Sequence, residues 1–172
     1  MVSDPSWKVR AESLAVVGNT LQAYAVLSDA AESGLTEALV HLARMQFMNG
    51  EYAAADQTIR AAARRVREDD SDTHWALHLA FTIGVGDFHT VERWRLAFEH
   101  LQVAATLDNN PALLVAVARH YESGMNGVGQ DLAEAEAWFA RAASAGSAEG
   151  AEAYRRVLKR TGRRRSKVSR DA

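Results

Sequence analysis

Between Ala112 and Gly146 apolar residues return at helical intervals. Leu113, Val117, Ala118 and Tyr121 form one stripe that stops at Gly124, and Ala135, Trp138, Phe139, Ala142 and Ala143 form a second that stops at Gly146. Gly127-Val128-Gly129-Gln130-Asp131 separates them and predicts a turn, so this stretch predicts two amphipathic helices folded back to back as a hairpin. The same alternation runs through the first third of the chain. Trp7, Ala11 and Leu14 lead to Gly18, and Ala23, Leu27 and Ala30 follow; Leu39, Leu42 and Ala43 lead to Gly50, and Ala55, Ile59 and Ala62 follow. Trp7 to Leu39, Gly18 to Gly50, Ala23 to Ala55 and Ala30 to Ala62 are each 32 residues apart. Four equal spacings mark an internal repeat.

The remaining segments fit the same plan. Asp4-Pro5 predicts the start of the first helix, with proline where no amide hydrogen bond is needed, and Asn19-Thr20 predicts the cap of the second. Residues 66–72 are polar and acidic, a loop that ends in Asp72 as the expected cap of the next helix. A third unit then reads Trp75, Ala76, Leu79, Ala80 and Ile83, a Gly84-Val85-Gly86-Asp87 turn, and a long helix with Trp94, Ala97, Leu101 and Ala104. About five extra residues, Phe88 to Glu92, separate its halves. Asp108-Asn109-Asn110-Pro111 closes that unit, and after the fourth hairpin Ala148, Ala151, Tyr154 and Leu158 predict a ninth helix over 147–161. The pattern predicts an all-α chain.

Leu39, Leu42, Ala43, Gly50, Ala55, Ile59 and Ala62 resemble the tetratricopeptide repeat (TPR), and residues 112–146 resemble its Sel-one-like variant. The departures are Arg10 where the family prefers leucine, Gln46 in place of tyrosine, Val117-Ala118 in place of Leu-Gly, and one extra residue in the last turn. The resemblance implies a right-handed α-solenoid of about four hairpins over residues 1–161, with the ninth helix covering its last apolar face. It also implies a non-enzymatic adaptor or scaffold that holds a peptide or a partner domain in a concave groove. Carried over by register, the groove positions are Glu37, Val40, Arg44, Phe47 and Met48 in the second unit, His74 and Phe81 in the third, and Arg119 and Glu122 in the fourth. Phe47 and Met48 are apolar residues that the packing pattern does not require. Arg44 and Arg119 could clamp carboxylates bidentately, which suits an acidic or C-terminal peptide, or could merely pair with neighbouring glutamates.

Composition narrows the classes further. The 172 residues include no cysteine, which removes disulfides and thiolate metal sites. Nothing near the N-terminus reads as a secretory signal, and no run approaches the roughly 18 apolar residues of a membrane span, so a soluble cytoplasmic protein is expected. The net charge of −2 hides an asymmetry: nine of the twenty basic residues lie between Arg155 and Arg170 with no acid among them. Residues 1–154 therefore hold eleven basic against twenty-one acidic residues, a net charge near −10. Residues 162–172 read as a basic tail, expected to be disordered, and the alternative function is association with nucleic acid, ribosome or anionic membrane through it. Trp7, Trp75, Trp94 and Trp138 fall at repeat core positions in an acidic body, which does not suit base stacking.

No catalytic constellation stands out. His74 and His78 are one helical turn apart, a spacing that can hold a metal, but Trp75 stands where a zinc hydrolase would carry glutamate, and no third ligand announces itself. The glycine-rich stretch 124–129 lacks the Lys-Ser/Thr of a phosphate loop and is explained as a repeat turn. The chain is read as having no catalytic residue, no metal and no cofactor.

Overall fold

A computed structural model describes residues 6–82 and 90–168, with side chains described as far as Gly162. Within them lie nine α-helices and no strand: α1 (Ser6–Val16), α2 (Thr20–Glu32), α3 (Thr36–Met48), α4 (Tyr52–Ala63), α5 (Ser71–Thr82), α6 (Val91–Asp108), α7 (Pro111–Ser123), α8 (Leu132–Ser144) and α9 (Ala148–Val168). The chain divides into two compact units, Met1–Phe88 and His89–Ala172. In the first, α1 pairs with α2, α3 with α4, and α5 packs on both α3 and α4. In the second, α7 and α8 form a hairpin, flanked by α6 against α7 and by α9 against α8. The Asp4-Pro5 start and the Gly84–Asp87 turn lie outside the described residues.

The even-numbered helices share one packing device. Ala23-Leu27-Ala30, Ala55-Ile59-Ala62, Ala97-Leu101-Ala104 and Ala135-Phe139-Ala142 repeat small, large, small at i, i+4, i+7, and all twelve are buried. That spacing puts the three residues on one helix face, where alanine lets a neighbouring backbone approach and the large side chain fills the space beside it. Trp138 is also in this core, 9% exposed, with its indole N–H donating to Glu134 at 3.2 Å.

Local signals set the helix ends. Gly18 and Gly50, 32 residues apart, take φ of +77° and +81° and end the first helix of their hairpins in a left-handed turn that a β-carbon would strain. Asn19 accepts from the Gln22 amide as expected, and Asn110 and Asp131 cap α7 and α8. Asp72 does not cap α5. That role falls to Asp70, whose carboxylate accepts from the Thr73 amide at 3.0 Å and the Thr73 hydroxyl at 2.6 Å, so the helix begins two residues earlier, at Ser71.

Two helices present a different face from the one the sequence suggests. On α5 the buried residues are Thr73, His74, Leu77 and Phe81, while Trp75 and Leu79, expected in the core, are 36% and 44% exposed. On α9 the buried stripe is Gly150, Ala153 and Val157, and the expected core residue Leu158 is 43% exposed. Gly150 explains the second case. A β-carbon there would lie 2.7 Å from Ala142 Cβ and 3.0 Å from the Ala143 amide nitrogen, so the backbones of α8 and α9 approach closely along that face. Helical backbone also continues past Thr161, the boundary read from the sequence, to Val168.

Gly150→Ala sets two effects against each other. Alanine gains roughly 1 kcal/mol in helix propensity, but the backbone contacts cannot yield as a side chain would, and overpacking costs about 1–3 kcal/mol. The expected outcome in urea unfolding is a net loss of about 1 kcal/mol; a gain in stability would mean that α8 and α9 are not in close contact.

Candidate functional site

Val40, His41 and Arg44 recur at i, i+1 and i+4 and so share one edge of α3, running from the buried Val40 to the exposed Arg44. Across from them α5 presents Ala76, Leu79, Ala80 and Thr82. The two helices enclose an open groove of about 310 Å³, lined by these seven residues. Its surface is largely apolar. Val40 is buried at 4% exposure and forms part of the wall, whereas Leu79 stands 44% exposed. Arg44 is exposed on the groove wall and makes no hydrogen bond or ion pair with the described residues.

Charge near the groove is otherwise neutralised. Glu37, one turn before His41, accepts from Lys8 of α1 at 2.6 Å and lies 3.5 Å from His41 Nε2. His41 in turn packs edge-on against Trp7 with ring centroids 5.6 Å apart. The His41 hydrogen bond and the Lys8 ammonium hold the Glu37 carboxyl down to about 2, against burial, which pushes it up. The same contact raises the Lys8 pKa. Glu37 itself faces an adjoining cleft of about 280 Å³ with Trp7, Asp70, Asp72 and Thr73.

The nine residues singled out in the sequence divide clearly. Val40 and Arg44 line the groove, and Glu37 adjoins it. Phe47 is half-buried against Tyr52, ring centroids 5.1 Å apart, and Met48 is 77% exposed at the end of α3; neither lines the groove. His74 and Phe81 are core residues, 6% and 2% exposed, so they offer a partner no surface. His74 Nε2 sits 3.2 Å from the Arg67 carbonyl, and burial lowers its pKa. Arg119 and Glu122 belong to the other compact unit and are engaged there: Arg119 pairs with Glu149, while Glu122 accepts from Arg156 at 2.7 Å and Arg160 at 2.9 Å. The expectation of a neighbouring glutamate therefore holds for Arg119 and not for Arg44. His41, Ala76, Leu79, Ala80 and Thr82 were missed as groove residues, because Ala76, Leu79 and Ala80 form a helical stripe that reads equally well as core.

His74 and His78 have separate partners: His74 is turned to the Arg67 carbonyl, and His78 stacks on Trp75 with centroids 5.1 Å apart. Among the described residues no three His, Cys, Asp or Glu side chains converge as metal ligands, and no helix is long and apolar enough to cross a membrane.

No protein-family model matches the chain, and no curated protein matches it in sequence. Its fold is similar to that in the crystal structure of MamA, a TPR/Sel-one-like repeat protein, with a TM-score of 0.55 at 13% sequence identity, covering 92% of this chain and 88% of that one. The chain has an all-α, TPR-like helical-repeat fold.

The Glu37 network makes stability depend on acid. Its folded pKa of about 2 lies below the ordinary 4.5, so its contribution is fully present above pH 4.5 and is lost as the pH falls towards 2. Lys8 and Glu37 are 40% and 33% exposed, and solvent screening limits the pair to about 1 kcal/mol. Chemical unfolding of wild type and Glu37→Gln is expected to differ by that amount near neutral pH and to converge in strong acid. A difference independent of pH would contradict the ion-pair account.

Proposed function

We propose that the chain is a non-catalytic protein-interaction module, an adaptor or scaffold, and that it takes a peptide or extended segment of another protein along the groove between α3 and α5. The observation that carries this reading is Arg44, an exposed guanidinium with no partner among the described residues, beside a largely apolar groove. Such a pairing suits a segment that places an apolar side chain between Val40 and Leu79 and a carboxylate on Arg44, since guanidinium and carboxylate match bidentately. The partner is accordingly an acidic or C-terminal peptide. At about 310 Å³ the groove accepts a few side chains, not a folded domain.

Arg119 and Glu122 drop out of this proposal because their charges are matched within the chain. The rival association with nucleic acid, ribosome or anionic membrane belongs to the basic tail, residues 162–172; Arg156 and Arg160, on α9 ahead of that tail, are paired with Glu122. The groove is the reading preferred here because its lining combines apolar surface with Arg44.

The test is capture from a library of peptides with free C-termini, followed by calorimetry on the selected sequence. Arg44→Ala is expected to weaken binding about ten-fold, or roughly 1.4 kcal/mol, with helicity unchanged. Amidation of the peptide C-terminus, or neutralisation of its acidic side chain, should cost a similar factor. Peptide affinity that survives Arg44→Ala intact would remove Arg44 from the site and with it the reason for an acidic partner.

A further inference from the structure

The α3–α5 groove does not stop at Val40. One turn back along α3, Glu37 lines the adjoining cleft, and its carboxylate lies 3.5 Å from His41, which lines the groove. On α5, Thr73 of the cleft precedes Ala76 of the groove by about one turn. Groove and cleft are two stretches of one trough between the same two helices, the cleft at their N-terminal ends and the groove at their C-terminal ends.

The two ends carry unmatched charges of opposite sign. Arg44 stands at the C-terminal end. In the cleft most charges are already engaged: Glu37 holds Lys8 at 2.6 Å, Arg67 donates twice to Asp69 at 3.0 and 2.7 Å, and Asp70 accepts from the amide and hydroxyl of Thr73 to begin α5. Asp72 is different. It is exposed on the cleft wall and makes no hydrogen bond or ion pair with the described residues; Lys8, drawn also by Glu12 and Asp72, keeps its contact with Glu37. Trp7 lines the same cleft, half-buried, and adds an aromatic surface of the kind that cations favour.

Geometry sets the distance between the two charges. Asp72 precedes Leu79, and Glu37 precedes Arg44, by two helical turns, or about 10 Å. An extended chain covers that length in about three residues, at about 3.3 Å each. The groove lining on α3 stops at Arg44, with Phe47 and Met48 outside it, so a chain that ends in a carboxylate there needs no room beyond.

We infer that the partner segment is a C-terminal one of mixed charge, with its terminal carboxylate on Arg44, an apolar last side chain between Val40 and Leu79, and a lysine or arginine about three residues upstream at Asp72. The inference rests on the groove reading and narrows it from acidic or C-terminal peptides in general to this class. Opposite charges at the two ends also fix the direction in which the segment lies.

Residues 1–88 hold twelve acidic against seven basic side chains, so a cationic peptide is attracted wherever it touches this unit, and a test must separate position from charge. Calorimetry on the full chain with three synthetic peptides does so, one ending Lys-Ala-Ala-Leu with a free carboxylate, one ending Ala-Ala-Ala-Leu and one ending Ala-Ala-Lys-Leu. The first is expected to bind about three-fold tighter than the second, as for an exposed ion pair, and the third no tighter than the second. Asp72→Asn should abolish the advantage of the first peptide without changing the circular dichroism spectrum, and Asp72→Lys should turn it into a disadvantage, while Arg44→Ala weakens all three. An equal gain from lysine at either position, or a gain that survives Asp72→Asn, assigns the attraction to overall charge and overturns the inference. Binding that needs Arg44 but ignores the lysine overturns it too and leaves the groove reading standing, whereas the absence of any Arg44-dependent binding removes both.

Discussion

The closeness of backbones at the alanine crossings is the constraint on which the rest of the structure depends. Ala23, Ala62, Ala104, Ala135 and Ala142 are wholly buried, and each stands where a longer side chain would force two helices apart. Because alanine loses no side-chain entropy in a helix, this packing places little demand on the ordering of side chains. The large residues Leu27, Ile59, Leu101 and Phe139 then fill the space between crossings. Gly150 extends the same principle to α9, where even a methyl group is excluded. The hairpins are held by their second helices, and the edges of the first helices remain available for other contacts.

What those edges offer is decided by electrostatics. In the Met1–Phe88 unit Lys8 reaches across from α1 to Glu37, and His41 joins them, so the acidic group on α3 is already matched. Arg44, one turn on from His41, is left with an unmatched charge beside apolar surface. In the His89–Ala172 unit the equivalent edge is closed within the chain, because α9 supplies Glu149 to Arg119 and two arginines to Glu122. A helix that covers the end of a repeat stack thus also neutralises the inner helix before it. The same fold yields one open edge and one occupied edge, and the difference lies in which charges have partners.

Much of this was legible from residue spacing. The 32-residue register of Trp7, Gly18, Ala23 and Ala30 with their counterparts located the first two hairpins, and the small-large-small triplets of α2, α4, α6 and α8 were read correctly as core. The odd-numbered helices were harder, and α5 shows why. His74, Leu77 and Phe81 form one helical stripe while Ala76, Leu79 and Ala80 form another, so periodicity alone cannot choose between two faces of an apolar helix. The repeat register exchanged core and groove here: it carried His74 and Phe81 to the groove and placed Trp75 and Leu79 in the core. The capping geometry carried the missing information. Asp70 bonds both the amide and the hydroxyl of Thr73, which fixes where the helix starts and turns His74 inward. The pairing of Arg119 and Glu122 depended on side chains of α9 thirty or more residues away, as with Glu122 and Arg156, and no local pattern encodes such a contact.

The central claim is that the exposed edge of α5, facing α3, is where a partner lies. Photo-crosslinking in cells tests it most directly, with benzoylphenylalanine placed singly at Leu79 or at Leu158. The two leucines are 44% and 43% exposed, so they differ in location and not in accessibility. The account predicts a discrete adduct from position 79 that Arg44→Ala diminishes, and none from position 158. Adducts of equal yield from both positions, or from position 158 alone, would contradict it.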